Sequence, residues 1–377
     1  MPPLITFVLH KFSRGGSDRV AAYLAKGFIE AGYRVELVVF ARGGEVEQVL
    51  LDLLGEVPVR FIGKAGRWRT TDLLSGLYAF VKYLRRVRPD VVLSTANNVA
   101  LISAIGCRLA SLHKTRLVLK TTNPIATSRH RGWVRRLRLW SYRRVFSRTS
   151  AVWTLSEDES AEMRAEFPQF ANLFRAVAQP YVTPAMELAP PARLGSQSPT
   201  VLSIARLTRQ KRLDRLIGAF AEVQSKNARL LILGEGEDRE ALATLVHELG
   251  LSGRIDMPGY LPNVTLALHE ANLFVLTSDY EGLPAAVIEA MAANCPVLST
   301  DCFPSARSLL ESSEGCEIID DVSPVALGKQ IDRALGRDRP TQLSQRAREY
   351  SIENGVQSHV WALRDVLECP GTNQAVD

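Results

Sequence analysis

The feature that most constrains this chain is an alternation of short apolar runs with helix-length amphipathic segments, and the alternation occurs twice. In the first half, residues 4–9, 35–40, 90–94, 116–121 and 151–155 read as strands. Helical patterns fall near 17–31, 72–87, 99–111, 133–146 and 157–167. A strand that stays apolar along its whole length is buried on both faces, which requires helices above and below it. The pattern therefore predicts a doubly wound parallel α/β sheet. Residues 183–199, rich in Pro and Ser and without periodicity, read as a linker. The alternation then restarts, with strands expected at 201–205, 230–234, 255–257, 273–277, 296–300 and 317–319.

A chain of 377 residues is too long for one ordinary core. The expected layout is a Rossmann-like domain over residues 1–182, the linker, and a second Rossmann-like domain over 200–350. A last helix near 351–367 lies outside the second alternation and is expected to cross back, so that 351–377 completes the first domain. Ligands of open α/β sheets bind beyond the carboxyl ends of the strands, so two such domains facing each other would enclose a cleft.

Residues 1–182 hold 28 Lys/Arg against 14 Asp/Glu, and residues 183–377 hold 18 against 26. Between Asp90 and Glu157 there is no acidic residue, which points to an anionic partner for the first half. Within that stretch, residues 129–148 carry eight arginines, and Trp133, Val134, Leu137, Trp140 and Val145 line up as an apolar stripe. Two readings stay open: a helix lying in the interface of an anionic membrane, or a core-facing helix with a solvated basic face. Nucleic acid is disfavoured because no recognition module accompanies the charge. There is no apolar run of about eighteen residues, and Met1 to His10 has no basic leader, so neither a membrane span nor a secretion signal is predicted. The cysteines at 107, 295, 302, 316 and 369 form no Cys-x-x-Cys pair, which predicts a reduced cytoplasmic protein without structural zinc.

Three pieces of the second half carry chemistry. Ser278-Asp279-Tyr280-Glu281-Gly282-Leu283-Pro284 follows an apolar strand and opens a helix that continues through Glu289. Pro284 suits the start of a helix, whose free amides favour an anionic or hydroxyl-rich ligand. By itself such a segment reads more often as a solvated helix with surface acids. Arg206 stands at the end of the strand at 201–205, with Lys211 five residues on, and the pair suits a diphosphate. Gly234-Glu235-Gly236 follows the next strand, where a ribose or base could approach the backbone.

The order and spacing of these pieces resemble the family-four retaining glycosyltransferases, which have the GT-B fold, over nearly the whole chain and most strongly from Val201 to Thr300. The resemblance implies that Glu281 meets hydroxyls of a donor sugar, that Glu289 binds the ribose, and that Arg206 and Lys211 grip the donor diphosphate. It further implies that the backbone near Tyr260 and Leu261 receives the base; Gly234, Gly236, Gly282, Leu283 and Pro284 are the remaining donor-binding candidates. In the first domain Gly15, Gly16, Asp18 and Arg19 resemble the family's Gly-Gly-x-acid-Arg loop, with Ser17 as a helix cap. Where many relatives place a histidine, this chain has Asn123, which can orient a hydroxyl but cannot act as a base. Asn123, Arg129 and His130 are the other acceptor-side candidates; His10 and His130 are the alternative histidines, although a lone histidine is more often structural.

The expected activity is transfer of a hexose-type sugar from a nucleotide-diphosphate sugar to an acceptor hydroxyl, with retention and without a metal, since no Asp-x-Asp motif is present. The expected acceptor is a polyprenyl-pyrophosphate-linked saccharide in exopolysaccharide, O-antigen or capsule assembly. That places the protein in the cytoplasm, peripheral to the inner face of the plasma membrane. The alternatives are a GT-B-type nucleotide-sugar epimerase and a non-catalytic nucleotide-sugar-binding or membrane-docking protein.

Overall fold

The computed structural model describes residues 1–12, 16–43, 47–63, 69–125, 132–188 and 198–368. It divides into two compact units: Met1–Pro180 with Ile352–Asp377, and Tyr181–Ser351. Each is an α/β unit built on one parallel sheet.

The first unit has strands β1 (Leu4–Leu9), β2 (Arg34–Val39), β3 (Val59–Phe61), β4 (Val91–Ser94), β5 (Arg116–Lys120), β6 (Ala151–Thr154) and β7 (Phe174–Ala176) in the order β3-β2-β1-β4-β5-β6-β7. The expected strands form its interior. The edge strands β3 and β7 have three residues each, too short to carry a pattern of their own. Every pairing is parallel. The order reverses between β1 and β4, which makes the carboxyl ends of those two strands the switch point.

Phe40, Phe80, Leu84, Leu119, Leu139, Phe146 and Phe167 belong to the buried core of this unit. Burying each such side chain contributes roughly 1.5–3 kcal/mol before entropy is counted. The last helix, Ile352–Glu368, packs on the helix Gly16–Glu30 within the same unit. A Cβ at Gly27 would sit 2.1 Å from the Val356 side chain, and one at Gly355 would sit 2.4 Å from the Pro180 nitrogen. Gly27 therefore lets the two helices approach closely, and Gly355 lets the last helix lie against the Gln179–Pro180 backbone.

The second unit has β8 (Thr200–Ile204), β9 (Arg229–Leu233), β10 (Ile255–Gly259), β11 (Leu273–Leu276), β12 (Val297–Thr300) and β13 (Cys316–Ile319) in the order β10-β9-β8-β11-β12-β13. All six are among the strands read from the sequence. Val201, Leu216, Phe220, Leu230, Ile232, Leu273, Val275, Leu327 and Ile331 are fully or nearly fully buried around them. The switch point lies between β8 and β11, so the loops after those strands start side by side.

Candidate functional site

At the switch point of the second unit two loops are stitched together. Leu207, fully buried, anchors the loop after β8. The chain then makes a 3₁₀ turn at Arg209–Lys211 and places Arg212 in the left-handed region at φ 49°. A non-glycine residue there carries strain, and the surroundings hold it. Thr277, directly after β11, donates its hydroxyl to the carbonyls of Lys211 (3.2 Å) and Arg212 (3.0 Å). Gln210 donates its side-chain amide to the Tyr280 carbonyl at 2.7 Å, and its own backbone carbonyl accepts the Asp279 amide at 2.9 Å. The buried carboxylate of Asp279 lies 3.5 Å from Arg212 and 3.3 Å from Arg215, which also donates to the Thr277 carbonyl.

This stitching brings Lys211 and Glu281 together. The Lys211 ammonium is ion-paired with Oε1 of Glu281, and the two side chains are only 15% and 8% exposed. Ser278 donates its hydroxyl to the same oxygen at 2.7 Å, and the Glu281 amide donates to the Cys302 carbonyl at 2.6 Å. Burial, with the Glu281 carboxylate beside it, pushes the Cys302 thiol up to about 12, so it stays protonated at neutral pH. Arg206 is exposed at the end of β8 and makes no ion pair among the described residues.

The helix after this loop is Ala285–Ala292, with Pro284 at its cap position (φ −71°, ψ 109°). Proline offers no side chain for capping. Among the described residues the amides of Gly282, Leu283 and Ala285 have no hydrogen-bond acceptor. The Leu283 carbonyl accepts the Tyr181 hydroxyl at 3.2 Å, which fixes the turn. Glu289 is the fifth residue of the helix and 3% exposed, so it is not a solvated surface acid; neither is Glu281 at 6%.

Gly234 and Gly236 have a sharper role than an open turn. At Gly234 (φ +141°) a Cβ would lie 1.9 Å from the Ala205 oxygen, and at Gly236 2.2 Å from the Leu207 oxygen. The amide of Leu207 donates to the Glu235 carbonyl at 2.9 Å. The two glycines thus let the loop after β9 press against the loop that carries Arg206 and Lys211. Tyr260 and Leu261 follow β10 and are about one-third exposed.

In the first unit, Gly15 of the candidate loop, together with Arg129 and His130, lies outside the described residues. Gly16 opens the helix Gly16–Glu30, so Ser17, expected as its cap, is instead inside the first turn, with Asp18 buried beside it. His10 directly follows β1 and is half-buried. Asn123 belongs to a loop after β5 that is held from two sides. Asn97 donates to the Asn123 carbonyl at 2.6 Å and accepts the Thr122 amide at 3.1 Å, and Arg138 donates to the Ile125 carbonyl at 2.8 Å.

Behind that loop is a buried charged group that sequence reasoning missed. Lys120 ends β5, and Glu159 accepts the Thr121 hydroxyl (3.0 Å) and the Leu155 amide (2.7 Å). Burial lowers the Lys120 ammonium to about 8 and raises the Glu159 carboxyl to about 7, each partly offset by the other's charge. His359, from the last helix, is fully buried, with Nδ1 2.7 Å from the Gly355 carbonyl and its ring edge-on to Trp153. Burial and the nearby Lys120 charge hold it down to about 3. The signal in the sequence was a lysine ending an apolar strand and an acid beyond a Ser cap, both ordinary features by themselves.

The basic helix is Gly132–Phe146, and the structure splits its apolar stripe. Leu139, Val145 and Phe146 are buried in the core, while Trp133, Leu137 and Trp140 are exposed at 67%, 56% and 53%. Arg135 pairs with Glu166. Arg136, Arg143, Arg144 and Arg148 are exposed, with no carboxylate partner among the described residues. Arg144 stacks over Trp140 at 5.1 Å. Among the described residues no helix is long and apolar enough to cross a membrane, and no group of three His, Cys, Asp or Glu side chains could hold a metal ion.

Two all-parallel doubly wound sheets, with the last helix returned to the first unit and polar loops gathered at the switch point of the second, define the GT-B fold. Residues 187–354 match the family described as "Glycosyl transferases group 1", and residues 15–175 match "Glycosyl transferase 4-like domain". The chain belongs to the group 1 glycosyltransferases. It is 28% identical over 253 residues to an uncharacterized glycosyltransferase of Methanocaldococcus jannaschii, covering 63% of this chain and 62% of that protein. It is 22% identical over 365 residues to one of Haemophilus influenzae, covering 96% and 98%. A shorter match, 32% over 114 residues and about 30% of each chain, is to the N-acetylgalactosamine-N,N'-diacetylbacillosaminyl-diphospho-undecaprenol 4-alpha-N-acetylgalactosaminyltransferase of Campylobacter jejuni. Among solved structures, Anabaena HepE in complex with UDP-glucose superposes with a TM-score of 0.77 at 18% identity, over 96% of this chain and all of that one.

Proposed function

We propose that the protein transfers a hexose-type sugar from a nucleotide-diphosphate sugar to an acceptor hydroxyl, with retention at the anomeric carbon. The observation that carries this reading is the meeting of Lys211 and Glu281 from two loops at the switch point of the second sheet. In this scheme Arg206 and Lys211 take up the negative charge that develops on the leaving diphosphate, which is electrostatic preorganisation. Glu281 holds sugar hydroxyls and Glu289 the ribose, while the backbone at Tyr260 and Leu261 receives the base. The amides of Gly282 and Leu283 offer donors to the sugar or phosphate. The leaving phosphate accepts the acceptor proton, so neither a protein nucleophile nor a metal is needed. The Anabaena relative bound to UDP-glucose supports a nucleotide-sugar donor.

The first unit is the acceptor side, with Asp18 and Asn123 as its candidates. A polyprenyl-pyrophosphate-linked saccharide is the acceptor class best supported. The named substrate of the Campylobacter relative is a diphospho-undecaprenol, and the outward face of Gly132–Phe146 interleaves Trp133, Leu137 and Trp140 with unpaired arginines. Such a face suits an anionic bilayer: rings and Leu enter the interface while guanidinium groups meet lipid phosphates. The protein then works at the cytoplasmic face of the plasma membrane, in assembly of an exopolysaccharide, O-antigen or capsule unit.

The test is thermal unfolding against a panel of UDP-, GDP- and ADP-sugars. A ligand present at about 100 times its Kd stabilises by about 2.7 kcal/mol, a rise of roughly 5–10 °C for a unit of this size. Melting unmoved by every nucleotide sugar refutes the reading.

A further inference from the structure

The Lys211–Glu281 pair raises a problem for a diphosphate site, because the ammonium meant for phosphate is already held by a carboxylate. The pair is built, not a chance meeting of flexible side chains. Glu281 is fixed by its own amide, which donates to the Cys302 carbonyl, and by the Ser278 hydroxyl; Lys211 is fixed by its amide on the Thr208 carbonyl and by the Thr277 hydroxyl, which donates to the Lys211 carbonyl. Both protein donors use Oε1, and Oε2 makes no hydrogen bond among the described residues. Glu281 thus has one oxygen committed to Lys211 and one that can accept a hydroxyl.

Resting on the nucleotide-sugar reading above, we propose that Glu281 makes the site select a nucleotide that still carries its sugar. A bare nucleoside diphosphate brings a second anion to an ammonium already neutralised by Glu281, at a place where both side chains are mostly buried. Like charges repel strongly there. A nucleotide sugar brings hydroxyls that donate to Oε2, and this new charge-assisted bond offsets the repulsion. After transfer the sugar hydroxyls leave, the repulsion returns, and the product nucleotide is released. Glu281 is then both a sugar ligand and the group that discriminates donor from product.

The experiment is calorimetric titration of the matched pair of nucleoside diphosphate and nucleotide sugar that stabilises the wild type, on the full chain and on Glu281→Gln, Glu281→Ala and Lys211→Met/Glu281→Gln. The wild type is expected to bind the nucleotide sugar at least about tenfold tighter than the diphosphate. Glu281→Gln is expected to tighten the bare diphosphate about tenfold while gaining nothing for the nucleotide sugar, and the double variant to lose that gain. Unchanged or weaker diphosphate binding by both Glu281 variants, or equal wild-type affinity for the two ligands, overturns the proposal. The wild-type comparison stands even where a variant does not fold. A wild type that binds no nucleotide sugar refutes the functional reading, and this inference with it, whereas binding without the selectivity refutes the inference alone.

Discussion

Lys211→Met removes one half of an ion pair and leaves Glu281, 8% exposed, with the Ser278 hydroxyl as its remaining side-chain partner. Breaking a fully buried pair from one side costs roughly 3–5 kcal/mol. Some water reaches this pair, since Lys211 is 15% exposed, so we place the cost near 2–3 kcal/mol. For a unit the size of Tyr181–Ser351 that lowers its melting temperature by about 5–10 °C. Lys211→Met/Glu281→Gln removes both charges, and its cost should fall short of the sum of the two single variants by about 1.5 kcal/mol or more. The assay is urea unfolding followed by far-ultraviolet circular dichroism. Tryptophan emission will not serve, because Trp68, Trp133, Trp140, Trp153 and Trp361 all fall outside the segment Tyr181–Ser351. Single-variant costs that add to within about 0.5 kcal/mol would show that Lys211 and Glu281 do not interact.

His359 should make the first unit acid-sensitive. Its imidazole has an ordinary value of 6.5 and is held to about 3 when folded, so between those values the unfolded chain binds a proton that the folded chain does not. The stability it provides is complete above about pH 6.5 and falls as pH drops, by about 2 kcal/mol at pH 5. Glu159, raised to about 7, acts in the opposite sense between 4.5 and 7, so the test is the difference between wild type and His359→Leu. That difference should shift by about 2 kcal/mol between pH 7 and pH 5, and parallel curves would contradict it. Gly234→Ala, with its Cβ against the Ala205 oxygen, should destabilise the second unit by about 3 kcal/mol or more in chemical denaturation; a cost under about 1 kcal/mol would mean that the loops do not press together as described. Flotation with anionic vesicles at low salt should carry the wild type upward, and Trp133→Ser/Leu137→Ser/Trp140→Ser should stay behind with its melting temperature unchanged. Wild type that never floats ends the membrane reading.

The sheet strands of both units were legible because buried parallel strands write themselves as unbroken apolar runs. The exceptions, β3 and β7, are three-residue edges that borrow their order from a neighbour. Lys211 and Glu281 were legible as separate motifs, but their contact is made by backbone and side-chain bonds between residues some 70 positions apart, which no local pattern encodes. The glycines after β9 read as a turn, whereas their necessity comes from carbonyls of the loop after β8. The helix Gly132–Phe146 shows the same limit: composition marked it as basic and apolar, but only packing decides that Val145 turns inward while Trp133, Leu137 and Trp140 turn out. Lys120, Glu159 and His359 come from three separate segments and meet only in the folded unit.

The role proposed for the Lys211–Glu281 pair, as the heart of a nucleotide-sugar donor site, underlies every other assignment in the second unit. It is tested most directly by calorimetric titration of wild type and Lys211→Ala with the nucleotide sugar that stabilises the wild type, alongside transfer of labelled sugar to a polyprenyl-pyrophosphate-linked acceptor. Binding and transfer are expected of the wild type, with both lost or nearly lost in a folded Lys211→Ala. Near-normal binding and turnover in that variant would contradict it.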